Sequence, residues 1–160
     1  MGITLMSEAF DDGGEIPSRY TADGDNVSPP LAWTGIPAEA KSLVLIVDDP
    51  DAPDPAAPQR TWNHWLLYNL PPDNGWLPEG ATADQLPSGA KQALNDWNKR
   101  GYGGPQPPIG QHRYFHKILA LDVMLPDLGQ PDRAELEKAM HGHVIEQGRL
   151  VGLYGHKPIG

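Results

Sequence analysis

Two histidines, two aspartates and a glycine-rich loop are the residues of this chain whose types and spacing could do chemistry. His64 stands in Thr61-Trp62-Asn63-His64-Trp65, and His112 in Gly110-Gln111-His112-Arg113-Tyr114. Asp49 and Asp51 flank Pro50 in Asp49-Pro50-Asp51-Ala52-Pro53, and Tyr102-Gly103-Gly104-Pro105 comes shortly before His112. If these segments converge, imidazoles and free backbone N–H groups can grip an oxyanion. The carboxylates would then orient the rings or accept from a protonated ligand oxygen. Spacing alone leaves plainer readings open. Asp49 and Asp51 also suit turns beside Pro50 and Pro53, and His64 between two tryptophans suits a hydrogen-bonded, half-buried ring. Two histidines and a carboxylate also match an iron or zinc site. Against that, His112 and His116 would lie about 13 Å apart on a strand, and His141 and His143 share no helix face. No metal is therefore expected. Other chemistries are excluded by pattern: the chain has no G-x-S-x-G elbow, no P-loop and no H-E-x-x-H. Gly101-x-Gly103 opens like a dinucleotide fingerprint, but Gln106 occupies the third glycine's place.

The elements that must position these residues are short strands. Ser42 to Asp48 reads SLVLIVD, a branched apolar run of buried-strand length that should stop at Asp49-Pro50. Asp49 to Gln59 is expected to be a loop, Thr61 to Asn69 a second strand, and Gly75 to Pro108 mostly loop. Arg113 to Val123 reads as a long strand, and Leu150 to Tyr154 as the last one. One helix is expected near Pro131, with Asp132 and Glu135 at the positive end of its dipole and a stripe of Leu136, Met140 and Val144. The result is an antiparallel or mixed β-sandwich with a C-terminal helix. At least one cis X-Pro bond is expected among 18 prolines.

Composition narrows the function classes. The chain has 160 residues, enough for one domain with a real core. It has 18 glycines without a collagen period, 39% apolar residues and 21% charged residues, so it is globular and rich in ordered turns. With 21 acidic against 12 basic residues and a net charge of −9, it lacks the basic clusters of a nucleic-acid binder or a general membrane-surface binder. Capture of one anion by a few local donors is still compatible with that charge. Cysteine is absent, which removes disulfide, thiolate-metal and thiol-nucleophile chemistry. No apolar run is long enough to insert in a membrane as a helix. Met1 to Phe10 has no signal-peptide pattern, and Met6 stands where myristoylation wants Ser or Thr, so a cytoplasmic location is expected.

Taken in order, several motifs resemble the bacterial branch of the phosphatidylethanolamine-binding protein family, also called Raf-kinase-inhibitor-like proteins. They are Asp23-Gly24-Asp25-Asn26-Val27-Ser28-Pro29-Pro30-Leu31 with Trp33, Asp49-Pro50-Asp51-Ala52-Pro53, His64-Trp65 with Asn69-Leu70-Pro71, and Asn95-Asp96. Tyr102-Gly103-Gly104-Pro105, Pro107-Pro108 and Gly110-Gln111-His112-Arg113-Tyr114 complete the set, which runs from Ser7 to about Tyr154. No single block is decisive; their joint order is specific. The resemblance implies a single domain, in which a large antiparallel sheet packs on a smaller one with helices at the edges. It also implies a small pocket for phosphate, phosphorylated head groups or carboxylates. Carried over by position, that pocket is Asp49, Asp51, Pro53, His64, Gly104 and His112, with Tyr114 nearby.

Three residues depart from the family pattern. Asn63 replaces a second histidine of animal members, Gln106 a frequent bacterial cysteine, and Arg149 a common acidic residue. The function expected is binding of a small anionic ligand, such as phosphate, a phosphoethanolamine-like head group or a carboxylate, with no cofactor and with a regulatory role in view. Two alternatives stand beside it. One is a kinase or protease inhibitor acting through a protein partner, and the other a lyase or cyclase using His and Asp as acid and base. No separate nucleophile is visible, so no residue is assigned as catalytic. A homodimer is compatible with all three.

Overall fold

The computed structural model describes residues 2–155. Their strands form two sheets. The larger has the order β6-β4-β3-β7-β8, and the smaller has β1-β2-β5. In chain order these are β1 (Thr4–Met6), β2 (Leu31–Thr34), β3 (Ser42–Ala52), β4 (Arg60–Leu70), β5 (Gly75–Leu77), β6 (Lys91–Gln92), β7 (Gln111–Leu121) and β8 (Val144–Gly155). Every pairing between them is antiparallel. The helix α1 (Arg133–Met140) lies between β7 and β8.

The central strand explains the arrangement. Along β3, Leu43, Leu45 and Val47 face the small sheet, where they join Leu5, Leu31, Trp33 and Leu77 with Trp65, Leu67 and Ile118. Val44 and Ile46 face the other way and pack with Leu66, Tyr68, Leu121, Leu136 and Met140. A strand buried on both faces needs an unbroken apolar run, which SLVLIV supplies. At ~25 cal/mol per Å² of apolar surface, two such layers supply the main drive for folding. Among the described residues no helix is long and apolar enough to cross a membrane.

Two local readings are corrected. The strand after Ser42 does not stop at Asp49-Pro50 but runs to Ala52, with register irregularities on the way. Pro50 costs less there than in a regular ladder, because the slipped pairing already lacks some bonds. Val144 is not the third residue of the helical stripe but the first of β8. The helix ends at Met140, and Gly142 takes a φ of 81°, turning the chain before a third helical turn can form. At its start, Asp132 is the cap itself, accepting from the Glu135 amide at 2.9 Å, while Pro131 stays outside. One cis peptide bond is present, at Ala52-Pro53.

Candidate functional site

A cavity of about 350 Å³ opens where β3, β4 and β7 end beside the loops that follow β6. Asp49, Ala52 and Pro53 line it from β3 and the turn beyond, Trp62 and His64 from β4, and His112 and Tyr114 from β7. Gln59, Arg60, Trp97, Gln106, Pro107 and Pro108 close the remaining wall. The loops after β3 and before β7 thus share one cavity, with both histidines in it.

A bulge in β4 brings the two rings together. Below it, Val47 pairs with Trp65; above it, Asp48 pairs with Asn63, which leaves His64 as the extra residue. An extra residue reverses the alternation of side chains along the strand. Trp65 and Leu67 face the small sheet on one side of the bulge, and Trp62 and His64 face the cavity on the other. Asn63 turns to the opposite face, where its Oδ1 accepts from Arg133 Nη1 at 2.7 Å. Its Nδ2 donates to Asp96 Oδ2 at 3.1 Å.

His64 is buried, with its edges against Trp97 and Tyr114 at centroid distances of 5.2 and 5.3 Å. Its Nδ1 lies 2.7 Å from the Gly103 carbonyl oxygen. A carbonyl only accepts, so this contact puts the proton on Nδ1 and leaves Nε2 as a lone-pair acceptor in the neutral ring. Burial lowers the pKa of His64 to about 4, against a partial rise from the Gly103 bond. The ring is therefore neutral at pH ~7.

His112 is held on both sides. Nδ1 lies 2.6 Å from Asp49 Oδ2, and Nε2 lies 2.8 Å from the Ile109 carbonyl oxygen. A neutral imidazole has one N–H, so two acceptor contacts require a further proton in the pair. It is carried either by the ring, as imidazolium facing carboxylate, or by Asp49, donating to Nδ1. Burial raises the Asp49 pKa, opposed by the His112 hydrogen bond and by the Asp51 amide, which donates to Asp49 Oδ1 at 2.8 Å. Either way, Nε2 of His112 is spent on Ile109.

Asp51 and Gly104 do not line the cavity. Asp51 accepts from Arg113 Nε at 2.9 Å, Arg113 Nη2 at 2.8 Å and the Arg113 amide at 2.9 Å, and these bonds hold its pKa below the ordinary range. It ties the end of β3 to β7. The Gly104 amide donates to Asn26 Oδ1 at 2.8 Å, and the Gly103 amide to the His64 carbonyl at 3.0 Å. The glycine loop therefore offers neither of these N–H groups to a ligand. Its glycines serve close packing: a Cβ on Gly103 would lie 2.3 Å from the Trp97 ring. Replacing Gly103 with Ala is expected to displace Trp97 and cost about 1–3 kcal/mol. Denaturant unfolding followed by tryptophan emission measures both.

The strongest ligand signal comes from two donors. Trp62 Nε1 and Tyr114 Oη are buried, lie on residues lining this cavity, and have no hydrogen-bond partner. Burial and the nearby Asp49 carboxylate push the Tyr114 hydroxyl well above its ordinary pKa, so it keeps its proton. Asp49 raises that pKa both through its charge and through a weak side-chain hydrogen-bond contact, which falls short of a well-formed bond. Unsatisfied buried donors are uncommon and costly. Sequence reasoning passed over Trp62 and Trp97 as site residues. Trp62 had a signal, since it is two residues from His64 on one strand, whereas Trp97 lies in a loop and had none. Among the described residues, no three His, Asp or Glu side chains are placed to hold a metal ion.

The sequence model described as phosphatidylethanolamine-binding protein matches residues 6–155. The chain belongs to the phosphatidylethanolamine-binding protein family. It is 48% identical over 153 residues to a UPF0098 protein of Methanothermobacter thermautotrophicus, covering 95% of this chain and 98% of that one. A crystal structure of a phosphatidylethanolamine-binding protein homologue from Chlamydia trachomatis superposes with a TM-score of 0.87 at 42% identity, covering 98% of this chain and 99% of that one. Escherichia coli YbcL, described as a member of the mammalian family, gives 0.87 at 28% identity, covering 98% of this chain and 100% of that one. The two-sheet architecture with its late helix is the fold of this family.

Proposed function

We propose that this family member binds a small phosphorylated ligand in the cavity between Pro53, Trp62, Trp97 and Tyr114, with the oxyanion against the Trp62 and Tyr114 donors. The observation that carries the proposal is the pair of unpartnered buried donors beside His64, whose Nε2 makes no hydrogen bond among the described residues. A phosphoryl oxygen accepts from Trp62 Nε1–H and Tyr114 Oη–H, and a P–OH donates to His64 Nε2. Inorganic phosphate keeps that P–OH at pH ~7, and a phosphate monoester keeps it below its second pKa of ~6. This differs from the expectation that both imidazoles, with free backbone N–H groups, grip the oxyanion. One ring is neutral by burial, and the other has both nitrogens engaged. The His112–Asp49 pair instead sets the charge next to Tyr114. Trp62, Trp97, Pro107 and Pro108 give the cavity an apolar wall, and its 350 Å³ is in the lower range of small-molecule sites, with room for an organic group on the phosphate.

The proton makes the reading testable with two isosteric anions. Inorganic phosphate keeps an O–H at pH ~7, whereas sulfate does not. Titration calorimetry is expected to show phosphate binding at least about tenfold more tightly than sulfate, the worth of one good hydrogen bond. Trp62→Phe and Tyr114→Phe should each weaken phosphate about tenfold, with the fold intact by circular dichroism. Equal binding of the two anions, unaffected by either substitution, would sink the proposal.

A further inference from the structure

The opposite face of the large sheet carries a second concavity, which the cavity described above does not use. It has a volume of about 730 Å³ and is lined by Asp48, Phe115, Lys117, Arg133, Glu137 and Arg149, among others. Its cations come from three elements, Lys117 on β7, Arg133 on α1 and Arg149 on β8.

The charges here are not balanced. Asp48 is buried and serves two cations, Lys117 Nζ at 3.1 Å and Arg133 Nη1 at 2.9 Å. Glu137 takes Arg133 Nε at 2.6 Å. Arg149 has no ion pair or side-chain hydrogen bond among the described residues. The groove therefore holds three cations against two carboxylates, in a chain whose net charge is −9. Local and global charge have opposite signs.

Register sharpens the imbalance. Lys117 and Arg149 are directly opposite each other across β7 and β8, a position where like charges are unfavourable. Both crowd one ring: Lys117 Nζ lies 5.5 Å and the Arg149 guanidinium carbon 5.6 Å from the Phe115 centroid. Arg113 lies at 5.4 Å from the same ring, but Asp51 neutralises it. Cation–π attraction offsets part of the repulsion. An anion between Lys117 and Arg149 would remove it.

We propose that this groove is a second anion site, specific for a small molecule carrying two or more negative charges on phosphate or carboxylate groups, with Arg149 as its principal ligand and Lys117 and Arg133 as flanking donors. The planar guanidinium suits bidentate contact with such groups, and Asp48 holds the other two cations in place. Being open to solvent, the site should weaken as salt is raised.

The test uses inorganic pyrophosphate as the probe, with backbone amide NMR to locate it. In the wild-type protein the amides of Lys117, Gly148 and Arg149 are expected to shift and saturate. Arg149→Ala should weaken this binding about tenfold, and Arg149→Glu further. The side chain is exposed, so both variants should fold. Tyr114→Phe should leave it unchanged, which separates this site from the cavity on the other face. Shifts confined to residues around His64 and Tyr114, a response linear in pyrophosphate, or an affinity unchanged in Arg149→Ala would each overturn the assignment.

Discussion

Lowering the pH from ~7 to ~4 is expected to remove roughly 6 kcal/mol from the unfolding free energy, about half through each of two buried histidines. His64 and His116 both have pKa values lowered to about 4 by burial. In the unfolded chain they return to ~6.5. Between those values the unfolded state binds more protons than the folded one, so stability rises with pH across that window and falls as acid is added. Above ~6.5 both states are neutral and the penalty vanishes. Asp49 works in the opposite direction, since a carboxyl whose pKa is raised by burial favours folding more as it is protonated. Asp51, held low by Arg113, adds a loss only below the ordinary carboxylate range. A total stability of ~5–15 kcal/mol leaves little margin against such a loss. Urea unfolding at stepped pH measures it directly, and His116→Gln should flatten the profile by about half. A free energy constant from pH ~7 to ~4.5 would refute the account.

Removing the ring of His112 should be the most damaging single change at the site. The side chain is fully buried, and its partner Asp49 is 5% exposed. His112→Ala leaves that carboxylate with the Asp51 amide alone and opens a cavity beneath Tyr114, so a cost of about 3–5 kcal/mol is expected. Part of this cost comes from the stranded, buried carboxyl group rather than from lost packing. Asp49→Asn in the His112→Ala background should therefore recover about 1–3 kcal/mol, although Asp49→Asn alone destabilises. The double-mutant cycle is read by chemical denaturation at pH ~7. Strict additivity would show that the pair carries no coupling.

Much of the architecture is legible in the residues taken in order. The unbroken run SLVLIV requires a strand covered on both faces, although Pro50 does not mark its end. Asp132 and Glu135 mark the helix start to within two residues, but they act as a capping box, with Pro131 outside, rather than as dipole partners inside the first turn. The joint order of the Asp49-Pro50-Asp51 and Gly110-Gln111-His112 motifs points to the family, and that resemblance carries the expectation of a pocket. Local chemistry and motif order are properties of the chain itself.

What only the tertiary structure decided is which groups remain free to meet a ligand. Strict alternation along β4 places His64 with Leu66 and Tyr68, on the face that α1 covers. The bulge opposite Val47 and Asp48 reverses it, and a bulge is set by pairing between strands rather than by either sequence. Asp51, Gly104 and the second nitrogen of His112 all read as ligand groups until Arg113, Asn26 and Ile109 are seen to occupy them. Arg113 and Asn26 are assigned by the folded arrangement, 62 and 78 residues away along the chain, and only the Ile109 contact, three residues from His112, is local. Trp62 Nε1 and Tyr114 Oη become the candidate donors for the same reason. Hydrogen-bond capacity is written in the sequence, but its satisfaction is a property of the folded neighbourhood.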